Sequence, residues 1–226
     1  MGKKKAEVSP LPAKSKILIV DDHPVVREGL AMHLGSQPDL QVCGEAEDVP
    51  GALALLASTR PDAAIIDISL KNGNGLELIR RIKERQDPVR ILVWSMYPEN
   101  LYAERALRAG AQGYLNKGQA TNHVLDAVRT ILQGKVYVSG DLADKLLRSA
   151  VGQPVKDQTP VDSLSDRELE VFRLIGEGVT TESIAKKMHI SPKTVETFRS
   201  RIKEKLGLSN MTELILRAAQ WVMETK

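Results

Sequence analysis

The sequence has little of several features that mark other protein classes. It contains one cysteine, Cys43, so no disulfide can form within the chain, and the expected location is a reducing cytoplasm. No apolar run approaches the roughly 18 residues that a membrane-spanning helix needs. The basic N-terminus is not followed by the apolar stretch of a signal peptide, and we expect no membrane partner. Aromatic residues make up only 4% of the chain against 42% apolar residues, so its cores must be mainly aliphatic.

The 226 residues suit two domains, and the pattern changes along the chain accordingly. Residues 1–15 are polar and are predicted to form a disordered lead-in. Over 16–135, short apolar runs alternate with helix-length segments, which is typical of an α/β domain with a parallel sheet. A short helix and a linker are expected over 136–163. The remainder, 164–226, is predicted to be entirely helical.

Five strands and five helices are predicted in the first domain. The strands are expected over 16–21, 40–46, 63–67, 90–95 and 113–116, and the helices over 24–35, 48–58, 75–85, 99–109 and 119–133. The strands are apolar throughout rather than alternating, as strands covered on both faces should be.

Polar side chains stand where these strands end. Asp21 and Asp22 end the first strand, Asp67 ends the third, Ser95 ends the fourth, and the fifth runs into Lys117. In a flavodoxin-like sheet of order 2-1-3-4-5, these groups converge on one crevice. Each residue alone is usually a turn, capping or otherwise structural residue, so the prediction depends on their joint placement.

The convergence of these acids has a chemical consequence. Three carboxylates cannot stay ionised together without a cation, and oxygen ligands suit Mg²⁺. The carboxylate of Asp67 could then attack phosphorus and form an acyl phosphate. Lys117 would pair with the phosphate oxygens, and Ser95 would donate a hydrogen bond to one of them.

This set of residues resembles the receiver domain of two-component response regulators over about 16–135. The resemblance implies that Asp67 is the phosphoacceptor, phosphorylated by a partner histidine kinase. It implies that Asp21, Asp22 and Asp67 bind Mg²⁺ together with the backbone carbonyl of Ser69. It also implies three phosphate-contacting or switch residues, which are Ser95, Tyr114 and Lys117, with the aromatic ring rotating inward. The sequence departs from the receiver pattern at Lys71, where proline is frequent, and at Gly118, where proline or aspartate is common.

The second domain carries a helix-turn-helix pattern. Ser165 and Glu168 form an S-x-x-E capping box before its first helix, and Ser191-Pro192 opens a recognition helix expected to enter the major groove. Residues 186–205 hold seven basic and two acidic residues, which fits either a polyanion partner or a solvated helix face. The predicted DNA-facing side chains are Thr181, Lys193, Thr194, Glu196, Thr197, Arg199, Ser200 and Lys203. Glu196 fits a base reader and a surface glutamate paired with Ser200 or Arg199 equally well.

Residues 164–208 resemble the LuxR-type four-helix DNA-binding domain. They depart from it at Phe198, where histidine is usual, and Phe198 is expected to pack rather than reach phosphate. A receiver followed by such helices is the NarL/FixJ-type arrangement. It implies sequence-specific binding to double-stranded DNA, transcriptional regulation, and a homodimer when phosphorylated. Activation by dimerisation and activation by release of the DNA-binding domain both stay open.

Two further hypotheses accompany this interpretation. The first domain could be a dimerisation module that works without phosphorylation, which Mg²⁺-dependent acyl phosphate formation at Asp67 would exclude. The chain could instead be an aspartyl-phosphate phosphatase. Such enzymes need a second carboxylate two residues after the nucleophile, and Ser69 occupies that position, so we predict that the protein is not an enzyme.

Overall fold

The computed structural model describes residues 14–71, 73–119, 122–150 and 160–224. Its strands are β1 (Ser15–Val20), β2 (Leu40–Ala46), β3 (Ala63–Ile66), β4 (Ser69–Leu70), β5 (Gly73–Asn74), β6 (Arg90–Ser95) and β7 (Gly113–Asn116). Its helices are α1 (Pro24–Gly35), α2 (Val49–Thr59), α3 (Gly75–Glu84), α4 (Glu99–Ala109), α5 (Asn122–Leu132), α6 (Gly140–Ala150), α7 (Asp166–Gly176), α8 (Thr181–Lys187), α9 (Pro192–Leu206) and α10 (Met211–Glu224). A short 3₁₀ helix (Pro160–Ser163) precedes α7.

The α/β domain contains one five-stranded parallel sheet in the order β2-β1-β3-β6-β7. This order matches the predicted 2-1-3-4-5 of the five main strands, so the flavodoxin-like fold class is confirmed. Alternate residues of each strand face opposite layers: Leu18 belongs to the core shared with α2, α3 and α4, and Ile17 to the core shared with α1 and α5. Both faces are covered, which explains why the strands are apolar throughout.

The small hairpin of β4 and β5 was not predicted. Ser69 pairs with Asn74 and Leu70 with Gly73 directly after β3. The side chain of Asn74 then accepts a hydrogen bond from the Leu76 amide and caps α3. The loop that follows Asp67 is therefore a short antiparallel turn with fixed ends, although its residue 72 lies outside the described residues.

The helical domain follows the predicted capping signals. Ser165 and Glu168 form the capping box that starts α7, and the Ser191 side chain accepts from the Thr194 amide at the start of α9. Gly207 ends α9 in the left-handed region, with φ of 65°, a conformation that favours glycine. These local signals fix the start of α7 and both ends of α9, because each satisfies backbone groups that the helix leaves free.

Some predicted boundaries were wrong or fall elsewhere. The predicted lead-in over 1–15 lies outside the described residues except for its last two, and Ser15 already belongs to β1. The predicted linker lies outside them over 151–159. Among the described residues, helix α5 spans Asn122–Leu132, and Gln119, the predicted start, is not helical. Helix α8 starts at Thr181, because the Thr180 side chain accepts a hydrogen bond from the Ser183 amide and caps the helix. No helix of the described ranges combines the length and the apolar content needed to cross a bilayer.

Candidate acidic site and helix-turn-helix surface

The predicted acidic residues meet at the carboxyl edge of the sheet. The Lys117 ammonium lies 2.5 Å from Asp21 Oδ2 and 2.5 Å from Asp67 Oδ2. Both acids are buried, at 2% and 3% exposure, because they follow the central strands β1 and β3. Two buried carboxylates are therefore held against one buried ammonium, as convergence of parallel strand ends predicts.

This acidic cluster has a donor set that suits a hard divalent cation. Asp21, Asp22, His23 and Asp67 each offer one ligand atom, and these atoms lie within 4.8 Å of one another. Three of the four are carboxylate oxygens, which Mg²⁺ prefers. His23, whose Nδ1 lies 2.8 Å from Asp22 Oδ1, was missed in the sequence, although a histidine directly after an acidic pair was a visible signal.

Electrostatics at this edge favours binding of positive charge. Burial raises the pKa of Asp67, the negative charge of Asp21 adds to the effect, and Lys117 opposes it. Burial alone would lower the pKa of Lys117, but attraction and hydrogen bonds from Asp67 and Asp21 outweigh burial and raise it. Lys117 is therefore held as a cation, and it carries the only positive charge that contacts both acids among the described residues.

Ser69 and Ser95 both form hydrogen bonds with the Asp67 carboxylate. The Ser69 amide donates to Asp67 Oδ1 at 3.4 Å, and the residue is half-buried at the rim of the pocket with Asp22. Ser95 is 1% exposed, and its side-chain hydrogen bond lowers the pKa of Asp67. Both predicted neighbours of Asp67 are thus within reach of its carboxylate.

Tyr114 and an unpredicted residue, Tyr97, connect the pocket to the loop after β6. The Tyr114 hydroxyl donates to the Tyr97 carbonyl at 2.7 Å, and Asn116 donates to the same oxygen at 2.9 Å. The Tyr97 amide lies 3.5 Å from Ser95 Oγ. Tyr114 is 1% exposed, so its ring already faces inward and needs no rotation to do so.

The two departures from the receiver pattern are accommodated locally. Lys71 forms an exposed ion pair with Glu47 at 2.8 Å, which fastens the loop after Asp67 to the end of β2. Exposed pairs of this kind stabilise a fold by roughly 0–1 kcal/mol. The Gly118 amide donates to Asn116 Oδ1 at 2.7 Å, so the turn after Lys117 is closed by a side chain. Neither residue contacts the acidic cluster through these bonds.

The predicted DNA-facing residues lie mostly on one exposed face of α9. Lys193, Glu196, Thr197 and Ser200 are exposed, and Thr194, Arg199 and Lys203 are half-buried. Val195 and Ile202 are fully buried, as predicted, and Phe198 packs against the core.

Glu196 is engaged within the helical domain. Its Oε1 lies 2.8 Å from Arg199 Nη1 and accepts a hydrogen bond from Thr181 at 3.3 Å. The hydroxyls of Thr197 and Ser200 donate to carbonyls one turn earlier, at Lys193 and Glu196. In this conformation Glu196 is a surface glutamate paired with Arg199, which is one of its two predicted interpretations.

A parallel sheet with an acidic pocket at its carboxyl edge, joined to a helix-turn-helix unit, is the architecture of a signalling domain linked to a nucleic-acid reader. The family model "Response regulator receiver domain" matches residues 17–129, and the model "Bacterial regulatory proteins, luxR family" matches residues 162–218.

Relatives and solved structures agree with these two matches. The "Response regulator GacA" of Pseudomonas aeruginosa is 35% identical over 205 residues, which cover 91% of this chain and 95% of that protein. The "DNA-binding transcriptional activator DevR/DosR" of Mycobacterium tuberculosis is 36% identical over 205 residues, covering 91% and 94%. The structure of RcsB from Salmonella enterica serovar Typhimurium, bound to promoter rprA in the presence of phosphomimetic BeF3-, is similar with a TM-score of 0.60 and 28% identity. It covers 92% of this chain and 99% of that one.

The chain belongs to the response regulators that combine a receiver domain with a LuxR-type DNA-binding domain. This family consists of transcriptional regulators of two-component systems and not of enzymes.

Proposed function

We propose that Asp67 is the phosphoacceptor of this response regulator and that its phosphorylation by a histidine kinase controls DNA binding by α9. The observation that carries the proposal is the contact of Lys117 with both Asp21 and Asp67 in one buried pocket. A histidine kinase is the donor that the receiver match implies. We also propose a cytoplasmic location, in which the free thiol of Cys43 would stay reduced.

The phosphoryl transfer itself needs a nucleophile and charge compensation. An oxygen of the Asp67 carboxylate forms a bond to phosphorus, the phosphorus–nitrogen bond of the donor phosphohistidine breaks, and its electron pair returns to the imidazole nitrogen. The Lys117 ammonium leaves the Asp67 oxygen to pair with a phosphoryl oxygen. The Ser95 hydroxyl donates a hydrogen bond to a second phosphoryl oxygen.

The proposed cation site uses Asp21, Asp22 and Asp67, with the Ser69 carbonyl as a further oxygen donor. When bound there, Mg²⁺ would neutralise the acids and offset charge that develops on the transferring phosphoryl group. The close approach of the ligand atoms supports this assignment. His23 lies at the exposed edge of the cluster and is proposed to orient Asp22 rather than to bind a hard cation.

The DNA-binding half of the proposal rests on charge and exposure. Lys193 and Lys203 suit phosphate contacts, and Thr197 suits a thymine methyl group in the major groove. Thr181, Thr194, Glu196, Arg199 and Ser200 complete the proposed contact set. Phosphorylated chains are proposed to bind as homodimers, because a dimer doubles the number of DNA contacts and matches paired half-sites about one helical turn apart.

Intact-mass measurement of the full chain tests the phosphoacceptor. Incubation with a phosphorylated kinase core or a small acyl phosphate plus Mg²⁺ should add one phosphoryl group to the wild type and none to Asp67→Asn. Asp126→Asn, an exposed acid on α5, is the matched control and should react like the wild type. Phosphorylation of Asp67→Asn, or Mg²⁺-independent phosphorylation of the wild type, would contradict the assignment.

A further inference from the structure

The helical domain contacts the receiver domain through the start of α7. Asp166 is 8% exposed and lies between Arg80 of α3 and Arg105 of α4. Arg105 is 3.1 Å from Asp166 and also donates to the Leu164 carbonyl at 2.8 Å. Because a buried carboxylate without partners is strongly destabilised, Asp166 needs these two cations of the receiver domain. The first turn of α7 is therefore anchored on α3 and α4.

One turn further along α7, Glu170 meets the loop after β6. Glu170 is 2% exposed and accepts a hydrogen bond of 2.5 Å from the Tyr97 hydroxyl. The Arg173 guanidinium lies 4.7 Å from the centre of the Tyr97 ring, a cation–π contact. Burial and the neighbouring Glu170 charge raise the pKa of Tyr97, so its hydroxyl stays protonated and remains a donor. Tyr97 is thus held by the helical domain at a position two residues after Ser95.

A third contact places the turn between α8 and α9 over the acidic pocket. His189 Nε2 lies 3.8 Å from Asp22 Oδ2. Between the domains is a cleft of about 510 Å³, lined by Asp22 and Ser69 on the receiver side and by Lys186 and Lys187 on the helical side. The helical domain therefore covers the side from which Asp22, and behind it the buried Asp67, would be approached.

The volume of this cleft suits one kind of phosphodonor, a small molecule, and not the other kind, a protein. Sites for small molecules measure roughly 300–1,000 Å³, so a small phosphate compound fits. A helix with its side chains is about 10–12 Å wide, and a protein–protein contact buries on the order of 800 Å² on each partner. A cleft of this volume has no room for a helix and its contact surface, so a protein that carries a phosphohistidine would have to displace the docked helical domain.

The docked position leaves the DNA-reading face of α9 in the open. Lys193, Thr197 and Ser200 are exposed, whereas Asp166 and Glu170 on α7 are buried against the receiver domain. The contact therefore covers the phosphorylation pocket and not the side chains that we propose to meet DNA.

We propose that the helical domain is a lid over the phosphorylation pocket, latched by Asp166 and by the Tyr97–Glu170 hydrogen bond, and that it admits small phosphodonors while excluding protein donors. The proposal rests on the proposed function of Asp67. The transfer chemistry is the same whether the lid is open or closed, and only access to Asp67 changes. Any change that favours undocking therefore speeds transfer from a protein donor.

Two donors applied to the same full-length variants test the lid. The latch variants are Asp166→Ala and Tyr97→Phe. The control is Tyr137→Phe, at a residue whose backbone pairs with Gly113 at the opposite, N-terminal end of β7. We expect the latch variants to accept phosphate from an autophosphorylated histidine kinase core roughly tenfold faster than the wild type, given the usual effect of one lost buried hydrogen bond or charge partner. With a small acyl phosphate, all four proteins should react within about twofold of one another.

Equal acceleration with both donors, or no acceleration with either, would overturn the lid. If no donor phosphorylates the wild type at Asp67, the proposed function fails, and a thiol-labelling experiment still reports on the lid. In a Cys43→Ser background, Ser69→Cys should react with N-ethylmaleimide in every variant. It should react with a polymer-linked maleimide at a comparable rate only when the latch is broken. Met96→Cys, at a position 68% exposed, is the labelling control and should react with both reagents throughout. Equal polymer labelling of latched and unlatched Ser69→Cys proteins would overturn the lid independently of phosphorylation.

Discussion

The acidic pocket buries its charged groups, whereas the face of α9 exposes most of its charged groups to water. In the pocket, Asp21, Asp67 and Lys117 are nearly inaccessible to solvent, and each depends on the others for compensation. On α9, Glu196 and Arg199 pair within one helix turn while neighbouring charges face water. The comparison teaches that the loss of one charged partner changes stability greatly where the remaining charge is buried and cannot be hydrated. Where water can hydrate the remaining charge, the change in stability is much smaller.

Loss of the Lys117 ammonium should produce the largest change in stability. We expect Lys117→Met to reduce the free energy of unfolding by about 3 kcal/mol without Mg²⁺, because Asp21 and Asp67 lose their shared partner. Saturating Mg²⁺ should restore part of that stability. Urea unfolding with and without Mg²⁺ measures both effects. Lys135→Met, at an exposed position, is the matched control and should change stability by less than about 0.5 kcal/mol. A Lys117→Met protein as stable as the wild type would show that the pocket does not depend on mutual compensation.

Removal of the charge on Asp67 should raise the free energy of unfolding rather than lower it. The pKa of Asp67 is raised in the folded state. At pH values between the ordinary and the raised pKa, the folded protein therefore binds more protons than the unfolded chain. The free energy of unfolding falls as the pH rises through that range. We therefore expect Asp67→Asn to be more stable than the wild type at neutral pH. The difference should shrink as the pH falls below the raised pKa. Urea unfolding at several pH values without Mg²⁺ measures this, and a less stable Asp67→Asn at neutral pH would mean that attraction to Lys117 outweighs burial.

A single exposed cation on α9 should have a smaller and salt-dependent effect. We expect Lys193→Ala to weaken binding to any duplex by about 1 kcal/mol and to lower the slope of log affinity against log salt by about 1. Lys145→Ala on α6 should change neither quantity. Titrations of labelled DNA at several salt concentrations measure both. An effect confined to one DNA sequence would identify Lys193 as a base reader.

The smallest effect is expected for Glu196→Ala. Because the carboxylate is already paired with Arg199, its loss should change the free energy of unfolding by less than about 0.5 kcal/mol. Sequence preference in a competition assay with single-base variants should also stay nearly constant. A loss of about 1–3 kcal/mol of discrimination at one base pair would show instead that Glu196 turns away from Arg199 to read cytosine.

The sequence was sufficient to predict the sheet order and the carboxylates of the acidic pocket, although not His23. Strand periodicity locates strand ends, and parallel strands bring those ends to one edge, so Asp21, Asp67 and Lys117 could be placed together before any coordinates. Capping residues such as Ser165 and Ser191 likewise act within one helix turn and were readable locally.

The contacts between the domains could not be predicted in this way. Asp166, Glu170 and Tyr97 meet partners far away in the chain, and nothing periodic marks a docking contact. One signal was present: Glu170 stands between Leu169 and Val171 in an otherwise apolar stretch of α7, and a buried carboxylate there requires a partner. The β4–β5 hairpin was missed for a different reason, since two-residue strands carry too few residues for a pattern.

Trp94 lies close enough to Lys117 to serve as an intrinsic fluorescence probe of the pocket. The Lys117 ammonium lies 5.4 Å from the centre of this indole ring, and the ring is 8% exposed on β6. The other tryptophan, Trp221, packs against Phe172 in the helical domain in a tilted arrangement, with ring centroids 5.6 Å apart. Because indole emission responds to a nearby cation, displacement of Lys117 should alter the fluorescence of Trp94. The events at the pocket could thus be followed in real time, without any attached dye.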